Sequence, residues 1–487
     1  MTATRLDTFA PATAMLRALR SREISAVELL DLHLDRVARC NPALNAIVIP
    51  DFDNARNAAQ AADAALARGE AGALLGLPIT LKESMNVRGL RTTVGMVETA
   101  DWVSSEDGPI GASVRSAGAV LIGKTNVPPL LSDWQSNNPV FGRTNNPWDL
   151  ERTPGGSTGG GAAALAAGLT PLEYGSDIGG SIRVPAAFCG VYGHKPSETA
   201  IPRSGQFPVP PAPNAATAMG VQGPLARSAE DLELGFDVAA GPEVGEHVAW
   251  RLQIPAARHE RLASFRVAAL PLPNWLPIDD EVRAAFERRA DELSRAGASV
   301  TTAAPSGFGD LRRHHEIYQS LLTALMMARV PAEGRAGVAA AQRASGGEFA
   351  EAAARGTEAS AAEYIELHRQ RELCRAAYRD FFREWDILLA PITIAPAFPH
   401  FPPEESQLQR RLQINGRSVE YMLQLVLPGI ATLSGQPATA FPVGLTRSGL
   451  PLGLQAIGPY LEDRTPIRFA ALMEREFGGF RRPPAYE

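Results

Sequence analysis

The sequence predicts a layered α/β protein, and three observations predict it. Short apolar runs with strand character recur along the chain. Between them lie longer segments with helical periodicity and recognisable caps. No repeat period or low-complexity tail interrupts the mixture. Strands dispersed among helices in this way are satisfied when helices cover the faces of a sheet. At 487 residues the chain can bury a large core.

Ser25 and Glu28 form an S-x-x-E capping box that opens a helix running to Asn41, with Val27, Leu30, Leu34 and Val37 along one face. Asn41-Pro42 is expected to end it, because a residue before proline avoids helical geometry. Residues 77–82 (LPITLK) predict a short strand, with Ile79 and Leu81 on one side and Thr80 and Lys82 on the other. Residues 119–122 (AVLI) predict a second, buried one. Text rich in Gly, Asn, Pro, Thr and Ser from 142 to 161 predicts loop, running into an alanine-rich helix at GGAAALAAGL. Ser228 and Asp231 then suggest a capped helix start, and residues 266–270 a strand. Residues 280–296 predict an amphipathic helix through Val282, Phe286 and Leu293, stopped by Gly297. The stretch 309–384, rich in Ala, Arg and Glu, predicts a helical layer or lid. Strand texture returns at 386–394, 438–444 and 451–457, and Thr465-Pro466 predicts a last helix with proline at its first position.

Composition narrows the function. Apolar residues make up 45% and charged residues 21%, ordinary for a globular protein, and a net charge of −6 offers no footprint for a nucleic-acid backbone. No stretch approaches the ~20 apolar residues of a membrane-spanning helix. The first residues carry no secretory signal pattern. Cys40, Cys189 and Cys374 are odd in number and lack metal-ligand spacing, so reduced thiols in a cytoplasmic protein are expected and no metal site is. A small-molecule substrate is the expected partner, and a homodimer is compatible with the sequence.

Lysine usage is more telling. Three lysines, Lys82, Lys124 and Lys195, stand against 44 arginines. All three fall beside apolar or glycine-rich text, and lysine differs from arginine chiefly in that burial can strip its proton near neutral pH. A coding bias with three chance survivors explains the count equally well.

Two glycine-serine clusters stand out, Pro154–Gly160 around Ser157 and Gly175–Arg183 around Ser181. Nucleophilic serine chemistry needs a hydroxyl, a base and backbone N–H groups aimed at the developing oxyanion. A glycine run suits the last requirement, since a chain without Cβ can turn several amides toward one point. Gly155–Gly159 also reads G-x-S-x-G, but the polar turn DLERTPGG precedes it where that elbow requires a strand. Nor is a histidine base convincing: His247, His259, His314, His315 and His368 read as polar or surface-helical, and His400 lies in a proline-rich loop. A lysine at the end of an apolar strand is the attractive base, so Lys82 is the candidate. Taken alone, Lys82 would as well pair with a carboxylate such as Glu83.

Ordered blocks extend these signals over most of the chain: Gly76–Ser84 (GLPITLKES), Gly123–Pro128 (GKTNVP), Phe141–Gly160, Gly175–Ser197, and the closing SGQPA and GLPLGLQAIG segments. Together they resemble the amidase-signature hydrolases, and the 24-residue step from Ser157 to Ser181 matches that family's spacing of working serines. The resemblance implies one α/β/α unit over residues 1–487 around a large mixed sheet. Core motifs would fall within 60–200, with a variable, largely helical substrate-side region at 240–385. It implies Ser181 as nucleophile, Ser157 (after a cis peptide bond) as proton relay and Lys82 as terminal base. It also implies an oxyanion site of Ile178, Gly179, Gly180 and Ser181 amides, a loop braced by Asp177 and Arg183, and no cofactor. Pro129–Asn138 falls where family members contact the acyl group, which makes Leu131 and Trp134 pocket candidates; an ordinary core role fits both nearly as well. Thr158 stands where many members carry a second serine, and His194 replaces a frequent leucine.

The reaction implied is hydrolysis of an amide, ester or carbamate through a Ser181 acyl-enzyme. A glutaminase subunit of a tRNA-dependent amidotransferase is the alternative. The middle segment and the Leu131–Trp134 stretch favour a free-standing hydrolase.

Overall fold

A computed structural model describes residues 6–209 and 217–486. Eleven strands of the described residues form one mixed sheet. In chain order they are β1 (Ile47–Pro50), β2 (Pro78–Lys82), β3 (Val120–Thr125), β4 (Leu172–Asp177), β5 (Tyr192–Lys195) and β6 (Val221–Ala226). The series continues with β7 (Arg266–Ala269), β8 (Ser299–Thr302), β9 (Ile387–Pro391), β10 (Ala438–Leu445) and β11 (Pro451–Ile457). Their spatial order is β1-β3-β2-β4-β6-β5-β10-β11-β9-β7-β8. The neighbours β3, β2 and β4 run parallel, as do β9, β7 and β8, while antiparallel pairs join these two groups. Most of these strands are buried along their length, which explains why they read as short apolar or small-residue runs rather than as alternating ones.

Helices cover both faces. Glu173 and Tyr174 follow one another on β4 and so point to opposite sides. Glu173 abuts Gly161 of α1 (Gly159–Ala166), where a Cβ would meet its carboxyl carbon at 2.6 Å. Tyr174 Oη donates to Gly235 O at 2.8 Å in the helix Ala229–Ala239 on the other face. Register pairs Thr80 with Glu173, so Thr80 and Lys82 share the α1 face, while Ile79 and Leu81 enter the opposite layer. That alternation is the one LPITLK predicts.

The α1 layer continues through α2 (Arg183–Cys189) and α3 (Arg312–Met326). Four helices, α3 with Ala332–Ala344, Ala350–Glu358 and Ala361–Glu384, make up the helical layer expected at 309–384. The 240–385 region is less uniform than expected, because β7 and β8 within it complete the far edge of the sheet. Two helix ends also differ from expectation. The Ser25-capped helix runs to Leu44 with Pro42 inside it. Proline there removes one intrahelical donor, and beyond the helix end Asn41 Oδ1 accepts from the amides of Ala46 and Ile47 at 2.9 Å each. The last helix begins at Arg464, two residues ahead of Pro466, where a proline still lacks an intrahelical donor role.

Candidate active site

Lys82 ends β2 and Asp177 ends β4, so the neighbouring parallel strands deliver both to one edge of the sheet, the carboxyl ends where open α/β sheets hold their ligands. The Lys82 side chain has no exposure. Its Nζ lies 2.7 Å from Ser157 Oγ, 2.9 Å from Ser176 Oγ and 3.4 Å from Ser176 O. Burial pulls the ammonium down to about 7, against the opposing pull of the Asp177 and Glu173 carboxylates. Glu173, buried on the same face, accepts from Thr125 Oγ1 at 2.7 Å, and burial pushes it up to about 8. Burial thus favours the neutral amine that a base must be.

Lys124 and Lys195 are equally buried but touch no serine hydroxyl. Lys124 Nζ donates to Thr92 Oγ1 at 2.8 Å and to Arg91 O. Lys195 Nζ donates to Gln436 O at 2.8 Å and Pro196 O at 3.0 Å. Of the three lysines, Lys82 alone meets the chemistry.

The Ser157 loop is shaped by close backbone packing. The Gly156–Ser157 peptide bond is cis. A Cβ on Gly156 would lie 2.5 Å from Asp133 O, so only glycine lets the loop approach that strand of chain. Ser136 Oγ donates to Gly155 O at 3.2 Å and accepts from Gly159 N at 3.1 Å, closing the turn around Ser157. Thr158 N donates to Ser181 O at 3.1 Å and ties this loop to the next.

Ser181 sits on the turn between β4 and α2. The Asp177 carboxylate reaches over that turn and accepts from Gly180 N at 3.0 Å and Ile182 N at 3.1 Å. Arg183 grips the same carboxylate through Nη2 at 2.9 Å and Nε at 3.0 Å, with both side chains unexposed. The remaining guanidinium donors reach Gln455 Oε1, Pro428 O and Thr432 Oγ1. Burial works against the Asp177 charge, but the Arg183 guanidinium outweighs it and holds the carboxyl down to about 2.

This brace alters the expected oxyanion set. The Gly180 amide is spent on Asp177, leaving those of Ile178, Gly179 and Ser181 without an acceptor among the described residues. Tyr318 Oη of α3 donates to Ile178 O at 2.7 Å, which fixes that peptide plane and turns the Gly179 N–H the opposite way. Trp134 Nε1 donates to Gly179 O at 3.0 Å and fixes the next plane.

Ser181 opens on a cavity of about 210 Å³ that Leu131, Trp134, Ile178 and Gly179 also line, together with residues of α3. Its charged lining residues differ in their partners. Asp133 accepts from Arg410 Nη1 and from Tyr421 Oη, each at 2.6 Å. Glu420 accepts from Glu348 N at 3.0 Å, and exposed Arg411 donates to the carbonyls of Leu408 and Arg410.

Two residues of the site carry no role in local sequence: Ser176 lies within the Gly175–Ser197 block without a signal of its own, and nothing in the sequence distinguishes Tyr318. His314 and His315 also correct the surface reading: both are buried, and burial lowers each to about 3. His194 is buried as well, with Nδ1 2.9 Å from Thr439 Oγ1 and Nε2 3.1 Å from Asp463 Oδ1.

The family described as Amidase matches residues 28–466. Indoleacetamide hydrolase of Bradyrhizobium diazoefficiens is 31% identical over 464 residues, covering 94% of this chain and 85% of that protein. A glutamyl-tRNA(Gln) amidotransferase subunit from Acidothermus cellulolyticus is 31% identical over 495 residues, covering 96% of this chain and 94% of that protein. Among solved structures, 6-aminohexanoate cyclic dimer hydrolase superposes with a TM-score of 0.79 at 26% identity, covering 99% of this chain and 100% of that one.

Proposed function

The chain belongs to the amidase family, and from that premise we propose how it cleaves its substrate and which substrates it takes. It is an amidase, a hydrolase of carboxylic amide C–N bonds. In the proposed mechanism neutral Lys82 accepts the Ser157 hydroxyl proton while Ser157 takes that of Ser181. The Ser181 oxygen bonds to the carbonyl carbon, and the carbonyl electron pair moves to oxygen, facing the free amides of Ile178, Gly179 and Ser181. Collapse breaks the C–N bond, and the amine leaves with the proton returned through Ser157. Water then attacks the Ser181 ester by the same relay, releasing the acid and restoring the serine. The observation that carries this reading is the 2.7 Å contact between a fully buried lysine, drawn down to about 7, and the Ser157 hydroxyl.

The substrate proposed is a primary amide or anilide with an apolar or aryl acyl group, and activated esters or carbamates would enter by the same route. Support comes from the cavity wall of Leu131 and Trp134 and from the likeness to indoleacetamide hydrolase. The amidotransferase relatives keep a glutaminase reading alive. Against it, the cavity wall at Leu131 and Trp134 is apolar, and the nearby Asp133 carboxylate is already held by Arg410 and Tyr421. As part of the same proposal the enzyme works in the cytoplasm, independently of nucleic acid; three free cysteines and the net charge of −6 support this.

The test is a substrate panel of anilides, primary amides, glutamine, esters and carbamates, read by released amine or alcohol. Turnover of aryl amides without companion proteins is expected. Turnover of glutamine alone would reverse the choice.

A further inference from the structure

Beyond these groups, the cavity onto which Ser181 opens is lined by two polar side chains that no other described residue satisfies. His315 and Gln319 stand one turn apart on α3, both line the cavity, and they are 2% and 5% exposed. Residues four apart on a helix share a face. The imidazole packs edge-on against Phe349, with ring centroids 4.4 Å apart and planes at 72°, and it lies 5.7 Å from the Tyr318 ring. Neither of its nitrogens has a hydrogen-bond partner among the described residues, and neither does the Gln319 carboxamide. The other polar group on that face is spent: Thr323 Oγ1 donates to Ala353 O at 2.9 Å.

Buried polar groups are normally hydrogen-bonded, and a pair left open inside a binding cavity is a pair kept for a ligand. Resting on the amidase reading above, we propose that His315 and Gln319 select an acyl group that is uncharged, apolar over most of its surface, and marked by one hydrogen-bonding group such as a hydroxyl or a ring N–H.

The chemistry of the pair sets that choice. A neutral imidazole offers one donor and one acceptor, and a carboxamide offers both again. Such a pair answers a hydroxyl or ring N–H and gives a carboxylate or ammonium no counter-charge. Desolvation keeps His315 neutral throughout the working pH range. Placement matters as well. Tyr318, between the two on the same helix, holds Ile178 O, so one rigid element fixes both the oxyanion loop and the polar pair. An acyl group docked on His315 and Gln319 is thereby positioned against Ser181.

The experiment measures kcat/KM for phenylacetamide and its 2-, 3- and 4-hydroxy derivatives by ammonia release, in the wild type, His315→Phe and Gln319→Leu. At least one hydroxy isomer should exceed phenylacetamide by about tenfold in the wild type, the effect of one good hydrogen bond. His315→Phe keeps a ring against Phe349 and should compress that ratio to within about twofold, with Gln319→Leu compressing it in part. A flat series in the wild type, or a preference surviving in both variants, overturns the inference and leaves the amidase reading standing. Ammonia from no member of the series overturns the inference, and the amidase reading is then decided by the anilides of the substrate panel. Should His315→Phe fail to fold, the wild-type series and Gln319→Leu decide the matter.

Discussion

Lys82 Nζ lies 2.7 Å from Ser157 Oγ, with the lysine fully buried and the serine 1% exposed. The consequence in solution is a pH profile. Lysine serves as a base when deprotonated, and burial lowers it from 10.5 to about 7. The limb of kcat/KM against pH should therefore rise through about 7, falling about tenfold for each unit below it. A limb near the ordinary lysine range would remove Lys82 as the base.

Ser176 gives that limb a handle. Its Oγ accepts from Lys82 Nζ at 2.9 Å, which favours the ammonium form. Ser176→Ala should shift the limb to lower pH and slow turnover by about tenfold or less, the scale of one hydrogen bond. No movement of the limb would place Ser176 outside the proton path.

The two serines separate by labelling. A fluorophosphonate should modify Ser181 in the native enzyme, as peptide mapping would detect. Ser181→Ala and Lys82→Ala should each lower amide turnover by about a thousandfold or more while the protein stays folded, by analogy with other serine relays. Adduct on Ser157 would exchange their roles.

The Asp177–Arg183 pair predicts a stability effect. Arg183→Met leaves a buried carboxylate without its direct ion-pair partner, a loss of about 3–5 kcal/mol. Urea denaturation should show a large fall in midpoint. Arg183→Lys should not restore it, because an ammonium cannot span the carboxylate, Gln455, Pro428 and Thr432 together. A midpoint within experimental error of the wild type would show the brace to be dispensable.

All three lysines of the chain are buried. A brief pulse of an amine-reactive ester should leave Lys82, Lys124 and Lys195 unmodified in the native protein and modify all three in urea, as mass spectrometry would report. Rapid native labelling at Lys82 would mean an open site and no depressed lysine.

Much of this was legible in local text. The Ser25–Glu28 box and the Ser228 cap are in place as written, because capping is settled within four residues. The strand at LPITLK alternates as its period predicts, and that alternation alone aims Lys82 at the α1 face. Other elements gave no such signal. LEYGSD and YGHK lack a strand pattern, since small and polar residues serve in strands packed on both sides and closing on a site.

The errors have one origin. His314 and His315 read as surface because α3 looks like a single amphipathic helix, but Ala350–Glu358, Ala361–Glu384 and Val426–Ser434 all pack against it and bury more than one face. Asp177 takes the Gly180 amide while Arg183 of α2, itself held by Gln455 of β11, grips its carboxylate over the loop. By itself the sequence determined the family, the helix caps, the strand that carries Lys82 and the two serine loops, since each is encoded in contiguous residues. Only tertiary structure decided which lysine meets a serine hydroxyl, which amides stay free and which polar side chains face the cavity. Those outcomes depend on desolvation and on partners tens to hundreds of residues apart, which no local pattern records.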